Sequence, residues 1–160
     1  MSDFKDVLTG LLTRIDTQGQ VTLATSDEDH VTARIVNVVV YDGKIAFQTS
    51  SNLKKFKQVE QNPNVAFSFG EVQIIGTAEI KGPPADEPRF QEIYKKKYPK
   101  PFIDFDKMTT SRVIEVTPKI ARLWTHEMNE PYLMTIDAIT QEVSLEPYEQ
   151  ADDHWDFIKP

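Results

Sequence analysis

A mainly β domain, folded as a small antiparallel β-barrel of six to seven strands with peripheral helices, is the class this sequence predicts. Three observations carry it. Short runs rich in Val, Ile, Thr and Phe recur from residue 20 to residue 145, turn signals built on Gly, Pro, Asp and Asn separate them, and helical periodicity is confined to three short stretches. A chain of 160 residues is long enough for one core and short for two. Residues 1–160 therefore read as one domain, with 129–160 an acidic C-terminal extension packed on it.

Phe4, Val7, Leu8, Leu11, Leu12 and Ile15 recur at helical spacing and predict an amphipathic helix over residues 3–15. Val21–Thr25 alternates apolar and polar side chains, Val31–Val40 is dense in β-branched residues, and Lys44–Thr49 is a third strand-like run. The acidic turn at 26–30 and the Asp42-Gly43 pair, suited to positive φ, join them into a three-strand antiparallel meander over residues 20–49. Ser51 or Asn52 is placed to cap a short helix with Leu53, Phe56 and Val59 on one face, stopped by Asn62-Pro63. Val65–Phe69 and Val72–Ile80 return to strand, with Gly70 a bend and Gly76 a bulge or a close approach. Phe90, Ile93 and Tyr94 give a helix over 86–98 its buried stripe. Arg112–Val116 and Ile120–Thr125 form a strand pair or one long strand interrupted near Pro118, and short strands follow at Leu133–Ile136 and Glu142–Leu145.

Composition narrows the function. The absence of cysteine excludes disulfides, thiolate nucleophiles and cysteine-held metal clusters. No apolar run approaches the ~20 residues of a membrane span, and Met1–Asp6 lacks a secretory pattern, so a cytoplasmic protein is expected. The net charge of -7 resides in residues 129–160, which hold eight acids against Lys159 alone. That segment would repel a phosphate backbone and argues against nucleic acid as a partner.

The best candidate site is Thr49–Lys57. A strand ends there in the hydroxyls of Thr49 and Ser50, a helix begins, and Lys54 and Lys55 lie in its first turn. Helix N-termini favour anions, whereas lysines at that end oppose the dipole unless an anion is present. Arg34, expected alongside through the Asp42-Gly43 hairpin, adds a second cation. Solvated lysines on an ordinary capped helix are the alternative. The basic run Tyr94–Lys100 reads as a solvated helix end, where lysines suit the dipole. His30, His126 and His154 lack metal-ligand spacing, and no nucleophile has a visible oriented base. Trp124 either floors a planar ligand or fills the core. Tyr148, Trp155 and Phe157, set among the acids, point to a tail docked on the barrel or on a partner subunit.

In order and spacing, Arg34-Ile35-Val36, Phe47-Gln48-Thr49, Lys54-Lys55, Gln58, Asn62-Pro63 and Ile75–Glu79 resemble the pyridoxamine 5'-phosphate oxidase-like, FMN-binding split-barrel family, over about residues 19–126. The resemblance implies a split-barrel homodimer with two FMN sites in its interface. It implies that Arg34, Ile35 and Val36 run beside the flavin, that Gln48 and Thr49 meet the polar ring edge, and that Lys54 and Lys55 hold the phosphate. Trp124 resembles a tryptophan set against the flavin of the partner subunit, and Glu71 takes the place of a flavin-contacting glutamine.

The oxidase's substrate-binding cations are replaced here by Val39, by Glu130-Pro131-Tyr132 and by Met134, which would leave a substrate phosphate unpaired at about 1.5–3 kcal/mol per missing charged hydrogen bond. The resemblance is therefore to the short bacterial general-stress or flavin-reductase-like branch. The expected function is FMN-mediated electron or hydride transfer to a small molecule. Related split barrels take heme, with His126 the candidate ligand, or a deazaflavin, and a non-enzymatic flavin-binding or regulatory module is a further alternative.

Overall fold

A computed structural model describes residues 3–105 and 107–151. The chain opens with α1 (Phe4–Gln18), started by Asp3, whose carboxylate accepts the Lys5 amide, and ended by Gly19 at φ 72°. Next come β1 (Gln20–Asp27), β2 (His30–Asn37), β3 (Val39–Tyr41), β4 (Lys44–Ser50) and α2 (Lys54–Gln61). They are followed by β5 (Asn64–Phe69), β6 (Val72–Ile80), α3 (Pro88–Lys97) and α4 (Pro99–Phe105), and then by β7 (Ser111–Glu127), β8 (Glu130–Asp137) and β9 (Glu142–Pro147).

All the strand pairings are antiparallel, and the main path runs β2-β1-β5-β6-β7-β4-β3. Its two end strands, β2 and β3, are separated in the chain by Val38 alone. One residue spans only ~3.5 Å, so a seven-strand path can meet that constraint only by curling back on itself. The result is a barrel left open at one seam, the split barrel. At the seam the Val38 amide donates to Gly19 O (2.8 Å), while Val38 O accepts from Lys97 Nζ (3.0 Å) and Tyr98 Oη (2.7 Å). The seven-strand path and the peripheral helices agree with the predicted class, and β8 and β9 extend it from β7.

Three sequence expectations are corrected. Val31–Val40 is not one strand: β2 pairs with β1 and β3 with β4, so residues 20–49 form two hairpins at opposite ends of the path and not a meander. The helix expected over 86–98 starts later, after a 3₁₀ turn at Pro84–Asp86, and α4 follows it unpredicted. Arg112–Thr125 belongs to one strand of 17 residues that runs through Pro118. Its register slips between Ile75 and Gly76, where Lys119 bulges out. A Cβ on Gly76 would lie 2.6 Å from Thr117 O, so both the bulge and the close approach are present. Trp155, Phe157 and His154 lie outside the described residues.

The interior is filled from both ends of the chain. Ile15, Leu23, Phe47, Phe67, Ile74 and Ile114 are fully buried, with Phe47 and Phe67 edge-on at 6.3 Å. A second apolar cluster joins Val39, Ala46 and Val113 to Phe90 and Tyr94, clamping α3 on the sheet. Alternation along β4 thus sends Phe47 and Thr49 to one face and Ala46 and Gln48 to the other.

Candidate functional site

The end of β4 and the start of α2 border a cavity of about 240 Å³. Ile35, Val36, Gln48, Thr49, Ser50 and Lys55, all singled out from sequence, line it together. Asn37, Leu53, Tyr94, Phe105, Met108 and Ser111 complete the wall. Leu53, rather than Ser51 or Asn52, is the N-cap of α2 and supplies no side-chain cap, because the Ser51 amide is drawn to Thr110 O and the Asn52 amide to Ser50 Oγ. The first amides of α2 are left without intrahelical acceptors.

The two lysines point to different neighbours. Lys54 Nζ is 3.1 Å from Asp27 Oδ2, and that hydrogen bond, helped by Gln58 and opposed by burial, holds the Asp27 carboxyl below its usual range. Lys55 faces the cavity and has no carboxylate partner among the described residues. Burial, and then the charge of Arg34, push its pKa down. Arg34 stands on β2, which is not a neighbour of β4 in the sheet, so the route expected for it was wrong. It reaches Lys55 electrostatically because the barrel closes. Its guanidinium donates to Leu23 O (3.1 Å), Thr25 Oγ1 (2.8 Å) and Thr32 Oγ1. Both threonines donate in turn to Oε1 of Gln58, which is wholly buried on α2. Arg34 is also desolvated, which lowers its pKa. No carboxylate pairs with it among the described residues.

Thr49 is 7% exposed, and its Oγ1 has no hydrogen-bond partner among the described residues. An orphaned buried hydroxyl of this kind calls for explanation. Thr49 lines the cavity with Lys55, a cation that has no carboxylate partner among the described residues, the chemistry an anionic, oxygen-rich ligand satisfies.

Glu71 and Trp124 do not reach this cavity. They line a second one of about 350 Å³ with Gln73, Arg122, Leu123 and Tyr148. Arg14 donates to Glu71 Oε1 at 2.7 Å and holds that carboxyl below its ordinary pKa, so its charge is compensated locally. Trp124 is half exposed and meets the His126 ring edge-on at 5.5 Å. Tyr94 escaped the site reading because its spacing marks a core stripe; its hydroxyl was the available cue. Phe105 and Met108 come from a stretch with no periodicity to read.

The sequence matches the pyridoxamine 5'-phosphate oxidase family over residues 11–125. The chain belongs to the pyridoxamine 5'-phosphate oxidase-like family. No curated protein matches it. Solved structures share the family fold. General stress protein 26 from Bacillus anthracis is 18% identical, covering 71% of this chain and 91% of its own at a TM-score of 0.56. A NimC/NimA family protein from Clostridium acetobutylicum is 17% identical, covering 89% and 93% at 0.57. HutZ, the heme storage protein from Vibrio cholerae, is 10% identical, covering 74% and 92% at 0.59. Val39, where the oxidase has a cation, is wholly buried against α3. Among the described residues no helix is long and apolar enough to cross a membrane, and no cluster of His, Asp and Glu could hold a metal.

Proposed function

We propose that this protein is a cytoplasmic FMN-binding oxidoreductase that works as a homodimer. One observation carries the reading: Lys55 lines the cavity with Thr49, whose buried hydroxyl has no hydrogen-bond partner among the described residues, and the Lys55 charge is opposed by Arg34 and balanced by no carboxylate among the described residues. A dianionic phosphate ester relieves the repulsion, takes the hydroxyl and meets the free amides of α2. When bound, FMN supplies hydride and electron transfer to a small-molecule acceptor. The chain itself anchors and orients the flavin and shields its ring with Ile35, Val36 and Leu53.

A volume of about 240 Å³ is below the roughly 300–1,000 Å³ of complete ligand sites, which supports a site completed by a partner subunit. The outer barrel face supports this. Ala33, Ala24, Ala66 and Ile75 are register partners across β2, β1, β5 and β6, a smooth apolar row beside the exposed Val31. By the family resemblance, Trp124 would then meet the flavin of the partner subunit.

The test is an ultraviolet–visible spectrum of freshly purified protein, followed by FMN titration. Flavin absorbance, or quenching of FMN fluorescence at a stoichiometry of one per chain, supports the proposal. A colourless preparation indifferent to FMN overturns it, and a Soret band lost on His126→Ala would replace FMN with heme.

A further inference from the structure

Gln58 is wholly buried on α2 and hydrogen-bonded at both ends of its amide. Its Nε2 donates to Asp27 Oδ1 (3.5 Å) and to His30 O (3.3 Å), and neither an ionised carboxylate nor a carbonyl has a hydrogen to give. Those two neighbours fix the amide's orientation. Its Oε1 therefore turns to Thr25 and Thr32, whose hydroxyls donate to it at 2.6 and 2.5 Å. With their hydrogens directed at Gln58, the threonine oxygens accept from the Arg34 guanidinium. Leu23 O, which also accepts from Arg34, is likewise uncharged. One amide thus separates two kinds of charge. On its nitrogen side the Asp27 carboxylate is committed to Lys54 at 3.1 Å. On its oxygen side Arg34 is held by neutral oxygens and keeps its charge. Lys54 and Lys55 lie one turn before Gln58 on the same side of α2, and Ile35, next to Arg34 on β2, lines the cavity with Lys55. The Arg34 charge is felt at Lys55, where it adds to burial in lowering the pKa.

We propose that Gln58 is the positioning residue of the anion site: its neutral amide orients Arg34 through Thr25 and Thr32 while keeping the Asp27 carboxylate off it, so that the cavity retains the surplus positive charge that selects a phosphate monoester dianion over an uncharged group. This rests on the FMN reading above and deepens it. A glutamate of the same shape would accept from both threonines equally well. It would also place a negative charge one hydroxyl away from the guanidinium, in a setting where burial strengthens such pairing. Hydrogen bonding alone does not require an amide at this position; the charge of the ligand does. Gln58 touches no ligand on this reading and acts only through Arg34.

The experiment exchanges the two groups. Asp27→Asn combined with Gln58→Glu in the full chain moves the carboxylate from the Lys54 side to the Arg34 side and leaves the net charge unchanged. Fluorescence titrations with FMN, and with riboflavin, which shares the ring and lacks the phosphate, separate charge from shape. Wild type is expected to prefer FMN by about a hundredfold. The exchange is expected to cut that preference about tenfold, by weakening FMN while riboflavin binds as it does to wild type. In an Arg34→Met background the exchange is expected to change the preference no further, since the group it acts through is gone. An equal weakening of both flavins marks a structural role alone; that result, or an unchanged preference for FMN, refutes the proposal and leaves the FMN reading standing. If the exchanged chain does not fold, Thr32→Asp brings a carboxylate to the same guanidinium from a half-buried strand position. The same selective loss of FMN is expected there, and an unchanged preference again refutes the proposal. Failure of wild type to bind FMN at all refutes both readings.

Discussion

Lys54 Nζ lies 3.1 Å from Asp27 Oδ2, and this contact divides the labour of two adjacent lysines. Lys54 ties α2 to the end of β1, while Lys55 is left to face the cavity.

The Lys54–Asp27 pair sets an acid limit. Asp27 has a folded pKa below its ordinary 3.8, so its contribution to stability is complete above that value and is lost as pH falls through the lower folded one. Lys54→Met should therefore cost more stability at pH 6 than at pH 3. Urea midpoints at the two pH values check this, and an equal loss at both would deny the linkage.

Lys55 has the opposite profile. Its depressed pKa means that its charge works against the fold, so Lys55→Met is expected to raise the melting temperature of the ligand-free protein. The same change removes a charged hydrogen bond to the phosphate worth about 1.5–3 kcal/mol, or about ten- to a hundredfold in FMN affinity. Calorimetry with and without FMN should show the two effects with opposite signs.

Thr49→Val deletes a buried hydroxyl that has no hydrogen-bond partner among the described residues. The free protein should be as stable as its parent or more so, whereas FMN affinity should fall by about 0.5–1.5 kcal/mol. A variant that loses stability without ligand would show that Oγ1 is already bonded.

Gly76→Ala drives a methyl into Thr117 O and Val116 Cγ1, at 2.6 and 2.7 Å. Overpacking of this kind costs about 1–3 kcal/mol, and a lower denaturant midpoint would report it.

Ala66→Arg places a charge at the centre of the smooth outer row without touching either cavity. Light scattering should show a dimer become a monomer, with FMN affinity falling alongside. A monomeric parent protein would dispose of the proposed assembly.

What the sequence revealed was local. Asp42-Gly43 makes its hairpin with both residues at positive φ, and Gly76 stands at its bulge, because turn and contact chemistry act over a few residues. The break at Val38 had no such signal: the β-branched run continues through it, and only barrel closure separates β2 from β3. The α2 cap fell to Leu53 because Thr110, remote in sequence, captured the Ser51 amide. Likewise, Lys54-Lys55 was visible as a basic pair, but which lysine faces the ligand depends on Asp27, and Tyr94 becomes a site residue only once α3 packs against β4. The site's anion-binding half was legible because it is built on one turn; the other half is assembled from three elements.

The position of β7 between β6 and β4 has a consequence during synthesis. On the ribosome, the β3–β4 hairpin emerges some sixty residues before the strand that covers its outer flank, at Ser111–Glu127. Until then β4 exposes a row of open amides and carbonyls able to pair with any nascent neighbour. Translation stalled before residue 111 should yield sticky fragments, and a pause after residue 127 should yield clean ones.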